Sequence, residues 1–155
     1  MTITIVDYVI AVDPGLKTGL SLVTTLEGLR LVASAEVDVL DVEPWLVAQM
    51  ATVPQDAVLL GVIEKFTINA RTVANTQAPW SLEVTGIARN TFWRERGLES
   101  VMQKPADVMS LFTNPRLRAL DCWHKGGAGH ANDSIRHGLG ALYARGWRDR
   151  RLLSA

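Results

Sequence analysis

The segment from residue 8 to residue 23, YVIAVDPGLKTGLSLV, constrains the fold of this chain more than any other. It reads as a buried strand that ends at Asp13, a tight turn that begins with Pro14, and a second strand. Gly15 and Gly19 are expected to tolerate positive φ in that turn. A carboxylate at the end of an apolar strand is costly to bury unless it is paired. Because an isolated Asp-Pro-Gly more often caps a turn, Asp13 alone predicts no site.

A second acid occurs in the same setting, at the end of another apolar run. Residues 57–63, AVLLGVI, are rich in β-formers, and Glu64 follows them directly. A helical segment precedes this strand, so we expect it to run parallel to the first strand. Asp13 and Glu64 then lie at the same end of adjacent strands. Neighbouring carboxylates need a cation or a shared proton, which makes this edge a candidate site.

Composition indicates one domain. At 155 residues and 48% hydrophobic, the chain can build a single core, so we interpret residues 1–155 as one domain. Its net charge is zero, but residues 1–64 carry a net −7 and residues 65–155 a net +7, and the second half could face a polyanion. Cys122 is the only cysteine, which excludes an internal disulfide. The sequence shows no basic leader and no apolar run of membrane length, so we expect a soluble protein of the cytoplasm.

The pattern predicts an α/β fold with a mixed five-stranded sheet flanked by helices. Strands over 6–13, 20–25 and 29–37 form an antiparallel meander, because short turns join them. The other predicted elements are a helix over 38–54, a strand over 57–64, an exposed loop over 65–78, a helix over 79–96, a strand over 98–103, helices over 104–112 and 114–123, a flexible segment over 124–129, a helix over 130–145 and a basic tail over 146–155. We interpret Trp80, Phe92 and Trp93 as core or subunit-interface residues rather than base-stacking platforms.

The start of the last helix carries a third group of polar residues. His130 and Asp133 are three residues apart, so they share one helix face and can point at a single spot. An acid in the first turn also interacts favourably with the helix dipole, and Asn132 or Asp133 could simply cap the helix. His137, one turn beyond Asp133, could extend the cluster. Taken alone, this spacing leaves metal ligation and capping open.

Together these segments resemble the RuvC family of Holliday-junction resolvases, which have a ribonuclease-H-like fold. The resemblance rests on IAVDPGLKTGLSLV, VLLGVIEKF, the helix containing SLEVTGIAR, the QKPADV step and GHANDSIRHGLGAL, which follow the family's order along essentially the whole chain. The compact size, the tryptophan content and the H-x-x-D spacing are most similar to RuvC-like resolvases encoded by actinobacterial phages. That likeness implies action in the cytoplasm of a bacterial host cell.

The resemblance implies an endonuclease that hydrolyses phosphodiester bonds at four-way DNA junctions, in recombination or branched-DNA resolution. Asp13, Glu64 and Asp133 would be the catalytic carboxylates, and His130 stands where many members have a fourth carboxylate. These residues would hold two divalent cations per active site, Mg²⁺ or Mn²⁺, with no small-molecule cofactor. The active unit would be a homodimer, for which Trp80 and the helix over 79–96 are our candidate interface.

Candidate contacts to DNA lie in the basic half of the chain. Many relatives carry an aromatic residue three positions after the glutamate, which wedges into the junction. Here Phe66 stands two positions after Glu64 and is the candidate wedge. The basic run that precedes the last helix in many relatives is thin in this chain. The candidate phosphate contacts are Lys65, Arg71, Lys104, Arg116, Arg118 and Lys125.

Two other classes of function stay open on the sequence alone. A ribonuclease-H-like nuclease could act on other branched DNA or on structured RNA. A non-catalytic nucleic-acid-binding module could use the same scaffold, although an intact set of acids speaks against it. An actin-like ATPase shares this core, but the chain is too short and has no second phosphate loop.

Overall fold

The computed structural model describes residues 5–74 and 78–152. A mixed five-stranded sheet lies at its centre, with the strand order β3-β2-β1-β4-β5. The first three strands form an antiparallel meander, while β4 runs parallel to β1 and β5 runs parallel to β4. The predicted α/β class, the meander and the parallel fourth strand are therefore confirmed. The strands are β1 Tyr8–Asp13, β2 Lys17–Thr24, β3 Arg30–Asp38, β4 Leu59–Glu64 and β5 Val101–Gln103.

Helices cover both faces of this sheet. The helices of the described residues are α1 Val39–Thr52, α2 Ala70–Ala74, α3 Ala78–Arg96, α4 Asn114–Ala119 and α5 His130–Ala144. Alternate side chains of β1 divide the core in two, which is the two-residue period of a strand. Val9 and Ala11 pack with residues of α4 and α5 on one face. Ile10 and Val12 pack with residues of α1 and α3 on the other face.

The register between β1 and β4 brings the two strand-end acids together. Val12 pairs with Ile63 in the parallel ladder, and Asp13 and Glu64 follow directly in their strands. Both acids therefore lie at the carboxyl-end edge of the sheet, as the sequence predicts. None of the described helices is long and apolar enough to cross a membrane.

The hairpin between β1 and β2 needs glycine for a different reason from the predicted one. Neither Gly15 nor Gly19 has a positive φ. A Cβ added to Gly19 would lie 1.8 Å from the backbone oxygen of His130. Gly19 is therefore required by the close approach of α5 to the sheet, and any side chain there would push the start of α5 away.

The prediction of a helix over 104–112 is wrong. Pro105–Asp107 form a short 3₁₀ turn, and the chain then continues in turns. Side chains use the backbone acceptors at the end of this segment: Arg116 Nη1 donates to the oxygen of Leu111 at 2.7 Å, and Arg136 Nε donates to the oxygen of Phe112 at 2.8 Å. Backbone hydrogen bonds from Met109 to Pro105 and from Phe112 to Val108 form separate turns that do not join into a helix.

Two further segments differ from their predictions. The expected loop over 65–78 contains the short helix α2, although residues 75–77 lie outside the described part of the chain. The predicted helix over 114–123 ends at Ala119. Residues 153–155 of the basic tail also lie outside the described residues, while Trp147 and Leu152 pack against the core.

The aromatic residues of α3 have different environments. Phe92 is fully buried, in agreement with its interpretation as a core residue. Trp80 is 38% exposed and Trp93 is 62% exposed, so neither is a core residue of the monomer. Their assignment to a subunit interface stays a prediction.

Candidate metal centre

Asp13 lies at the end of β1, beside a turn that is held from several directions. The hydroxyl of Thr18 donates to the oxygen of Gly15 at 3.0 Å, and the hydroxyl of Ser81 donates to the oxygen of Pro14 at 3.0 Å. Asp13 is only 7% exposed. Burial has the largest effect on the pKa of Asp13 and raises it. The hydrogen bond with His130 lowers this pKa and the charge of Glu64 raises it, and the net result is a pKa of about 6. A buried acid with a raised pKa beside a second acid is a candidate ligand for a cation.

The start of α5 is fixed to the sheet by Glu36, a residue that the sequence analysis did not single out. The carboxylate of Glu36 accepts hydrogen bonds from the backbone N–H groups of Ala128 at 2.8 Å, Gly129 at 2.7 Å and Ala131 at 3.3 Å. Burial opposes these bonds, but together they lower the pKa of Glu36. The segment over 124–129, predicted to be flexible, is therefore anchored to β3. A lone acid near the end of a strand gives no sequence signal for this role.

His130 and Asp133 face Asp13 from the first turn of α5. His130 Nδ1 lies 3.0 Å from Asp13 Oδ2. This hydrogen bond raises the pKa of His130, while partial burial opposes it. One ligand atom from each of Asp13, His130 and Asp133 lies within 4.8 Å of the others. The three groups converge as the spacing of His130 and Asp133 predicts.

Arg136 fixes the carboxylate of Asp133. It is buried, its Nη1 is hydrogen-bonded to Asp133 Oδ1, and its Nη2 is hydrogen-bonded to Asn114 Oδ1. Its Nε donates to the oxygen of Phe112. The guanidinium is thus held in place by the segment that leads into α4. Asp133 is held in this way while one of its oxygens lies within 4.8 Å of ligand atoms of Asp13 and His130.

Glu64 enters the same site from the end of β4 and is held by His137. His137 Nε2 lies 2.8 Å from Glu64 Oε2, and His137 Nδ1 lies 3.2 Å from Gln103 Oε1. The ring of His137 is fully buried. The sequence places His137 as a possible extension of the cluster, whereas the structure makes it the partner that orients Glu64.

These residues line an open cleft of about 590 Å³. Asp13, Glu64, His130 and Asp133 lie in its wall, and Phe66 and Trp80 lie there too. The candidate wedge therefore borders the candidate metal centre. Trp80, interpreted from sequence as a core or interface residue, is also part of this cleft.

The predicted phosphate contacts are distributed unequally around the molecule. Lys65, Arg71, Lys104 and Lys125 are exposed. Arg118 is exposed and stacks over the ring of Trp123, with 4.2 Å from its Cζ to the ring centroid. Arg116 is half-buried and lines a separate pocket at the other end of α5. All six assignments stay predictions.

The donor set fits a hard or borderline divalent cation. Two carboxylates and one imidazole lie close enough to share an ion, and the carboxylate of Glu64 lines the same cleft. A cation would also relieve the burial and charge repulsion that raise the pKa of Asp13. Arg136 and His137 hold the remaining carboxylate oxygens as outer partners of metal ligands commonly do.

Comparison with known proteins supports the fold rather than a sequence family. No protein-family model and no curated protein matches this chain. Thermus thermophilus RuvC in complex with a Holliday junction substrate is similar, with a TM-score of 0.70 and 17% identity over 90% of this chain and 95% of that chain. A further Thermus thermophilus RuvC structure gives a TM-score of 0.67 and 18% identity over 89% of this chain and 95% of that chain.

A viral structure has the same architecture. The Fowlpox virus resolvase, in complex with Holliday junction DNA, gives a TM-score of 0.53 and 12% identity over 88% of this chain and 99% of that chain. The chain therefore has a RuvC-like, ribonuclease-H-like fold, and the resemblance predicted from its sequence is confirmed at the level of the fold.

Proposed function

We propose that this chain is a divalent-metal-dependent endonuclease that cleaves branched DNA, with four-way junctions as its preferred substrate. The observation that carries the proposal is the convergence of Asp13, His130 and Asp133, with ligand atoms within 4.8 Å of one another and Glu64 in the same cleft. Oxygen-rich clusters of this kind suit the cations that hydrolyse phosphodiesters. The solved structures with this fold include RuvC and a viral resolvase bound to Holliday junctions.

Asp13, Glu64, His130 and Asp133 would hold two Mg²⁺ or Mn²⁺ ions. Bound there, the ions would acidify the attacking water and stabilise the charge that develops on the leaving oxygen. Asp13 provides a nearly inaccessible carboxylate at a fixed strand end. His137 and Arg136 each hold one carboxylate in a single orientation. A site whose ligands are held in this way needs little reorganisation of the protein when a phosphodiester is displaced.

The surroundings of the cleft suit a nucleic acid. Lys65, Arg71 and Lys104 are exposed on segments that follow β4 and β5. Phe66 and Trp80 add apolar surface against which an unstacked base can pack, a role that replaces the interface role predicted for Trp80. Cleavage of a symmetric junction on two strands needs two sites, which a homodimer provides. The exposed side of α3, with Leu82 and Trp93, is our candidate interface.

A panel of labelled substrates tests the proposal. Purified protein is incubated with four-way, three-way, flap and linear DNA and with an RNA hairpin, in Mn²⁺, Mg²⁺ or EDTA. We expect metal-dependent nicking of the four-way junction and no cleavage of linear duplex. Preferred cleavage of RNA or of flaps would identify a different nuclease on this fold. Tight junction binding without nicking in either metal would identify a non-catalytic module.

A further inference from the structure

A second pocket, of about 530 Å³, lies at the far end of α5 from the metal centre. Leu111, Tyr143 and Leu152 provide its apolar surface, and three arginines provide its charge. The three arginines are Arg116, Arg148 and Arg150, of which Arg148 and Arg150 are exposed. The proposed catalytic step uses none of them.

Two of these arginines are held in fixed positions. Arg148 stacks on the ring of Tyr143, with 3.7 Å from its Cζ to the ring centroid, and its Nη1 donates to the backbone oxygens of Tyr143 and Trp147 at 2.7 Å each. Arg116 Nη1 donates to the oxygen of Leu111 at 2.7 Å. Within the described residues both side chains donate through Nη1, which leaves most of the five N–H groups of each guanidinium for another acceptor. Preorganised guanidinium groups bind phosphate at a low entropic cost.

The acid in this pocket does not neutralise the three arginines. Asp149 is the pocket's one acidic lining residue, and its Oδ2 lies 2.7 Å from Nη2 of Arg151. Its Oδ1 accepts from the backbone N–H and from Nε of Arg151, at 2.9 and 3.0 Å. The charge of Asp149 is thus already paired by a neighbour that does not line the pocket. The pocket keeps a positive charge that complements a polyanion.

One segment of the chain connects the metal cleft to the pocket. Met109 lines the cleft and Leu111 lines the pocket, and two residues of extended chain span at most about 7 Å. Arg136, which holds Asp133, also contacts Phe112 and Asn114, which follow in the same segment. The thirteen-residue step along α5 from His130 to Tyr143 corresponds to about 20 Å. That length matches about six base pairs of duplex at 3.4 Å per step.

We propose that Arg116, Arg148 and Arg150 form a phosphate-binding subsite for a duplex arm of the DNA that is cleaved in the metal cleft. The subsite contacts the sugar–phosphate backbone about six base pairs from the cleaved phosphate, without reading the base sequence. This inference rests on the proposed function, because the duplex arm is the part of the proposed junction substrate that extends out of the metal cleft. It gives the described part of the C-terminal segment, residues 146–152, a role in holding the substrate.

A double substitution combined with arm truncation tests the subsite. All proteins carry Asp13→Asn so that no strand is cut, and binding is measured by fluorescence anisotropy between 50 and 200 mM salt, a range in which counterion release is resolved. Arg148→Gln with Arg150→Gln should reduce the magnitude of the salt slope by about 1.8, because two phosphate contacts are lost. Arg30→Gln, an exposed arginine at the start of β3, is the matched control for loss of surface charge and should leave the arm-length effect intact.

The arm length separates this subsite from general charge. Shortening the arms from 15 to 4 base pairs, with each arm closed by a hairpin loop so that the junction stays assembled, should weaken binding by the protein with intact arginines. The same change should weaken binding by the double variant less, because only Arg116 of the subsite remains. Thermal melting confirms that the double variant is folded. If truncation weakened both proteins equally, or if it did not affect the protein with intact arginines, the subsite would be rejected.

The same binding measurement distinguishes a failure of the proposed function from a failure of the subsite. Failure to prefer a four-way junction over linear duplex, whatever the arm length, would contradict the proposed function. Normal junction preference with an unchanged salt slope in the double variant would overturn the subsite alone.

Discussion

The fully buried imidazole of His137 holds Glu64, with 2.8 Å between His137 Nε2 and Glu64 Oε2. The two residues come from α5 and β4, so the contact locks the last helix to the edge of the sheet at the candidate metal centre. Gln103 fixes the other ring nitrogen of His137. An acid at the end of a strand can rotate freely, and this contact leaves Glu64 with one oxygen to offer a cation.

Loss of that contact should weaken metal binding. His137→Leu removes the hydrogen-bonding partner of Glu64 and fills the buried position with an apolar side chain. We expect the dissociation constant for Mn²⁺ to rise about 10–100-fold, as for other outer partners of metal ligands. Calorimetric titration of the DNA-free protein measures it. His124→Leu, which breaks a histidine contact to Ser34 away from the cleft, is the control, and equal affinities for the two variants would contradict the role of His137.

Replacing Asp13 should stabilise the metal-free protein at neutral pH. Its pKa is raised from 3.8 to about 6, so the folded state binds more protons than the unfolded state between these values. The free energy of unfolding therefore falls as the pH rises from about 4 to 6, by about 3 kcal/mol from this group. Asp13→Asn should be more stable than wild type at pH 7 and about equally stable at pH 4. Denaturant unfolding in EDTA at both values checks this, and a difference that does not change with pH would contradict it.

His130 should set the metal preference and the acid limit of the site. Imidazole is better matched to Mn²⁺ than to Mg²⁺, so cleavage should be faster in Mn²⁺. Metal binding needs neutral imidazole, and the hydrogen bond to Asp13 raises the pKa of His130 above its usual 6.5. Binding should weaken as the pH falls through that raised value. His130→Asp should shift the preference toward Mg²⁺ and remove the part of the acid limb that His130 contributes, while Asp13, with its pKa of about 6, keeps a limb at lower pH.

Rates measured across pH in each metal decide the role of His130. Identical profiles for wild type and His130→Asp would remove His130 from the metal shell. His130→Ala should keep weak Mn²⁺-dependent cleavage, because Asp133 reaches the site from the same helix face.

Glu36 should stabilise the start of α5 through its charge. Glu36→Gln retains one oxygen but turns an amide toward the backbone N–H groups of residues 128–131, so we expect a loss of about 1–3 kcal/mol. The pKa of Glu36 is lowered from 4.5, so its contribution is present above that value and is lost as the pH falls through the folded-state pKa. Wild type and Glu36→Gln should therefore differ at pH 7 and converge in acid. Equal stability at pH 7 would contradict the anchoring role.

The sheet and the meeting of the acids follow from local sequence patterns. The continuous apolar run of β1 is typical of a strand that is buried on both faces. Val9 and Ala11 pack on one face of the sheet, and Ile10 and Val12 pack on the other. A helical crossover makes β4 parallel to β1, and that rule alone places Asp13 and Glu64 at one edge. The three-residue spacing of His130 and Asp133 then predicts that both can face the same point.

The outer partners of the site could not be predicted, because they depend on packing between distant parts of the chain. Glu36 contacts Gly129, which lies 93 positions away, and His137 contacts Glu64, which lies 73 positions away. The error over 104–112 has a different character. Separate backbone turns form there, from Met109 to Pro105 and from Phe112 to Val108, but they do not join into the continuous helix that local propensity predicts.

Single-turnover cleavage of a labelled four-way junction tests the central claim most directly, with wild type and Asp13→Asn compared at equal and saturating protein. In Mn²⁺ the wild type should cut the junction on opposing strands, and EDTA should abolish cleavage. Asp13→Asn should bind the junction at least as tightly and cut it slower by about three orders of magnitude or more, because a metal ligand is lost without a change in volume. Cleavage by Asp13→Asn at the wild-type rate would contradict the account.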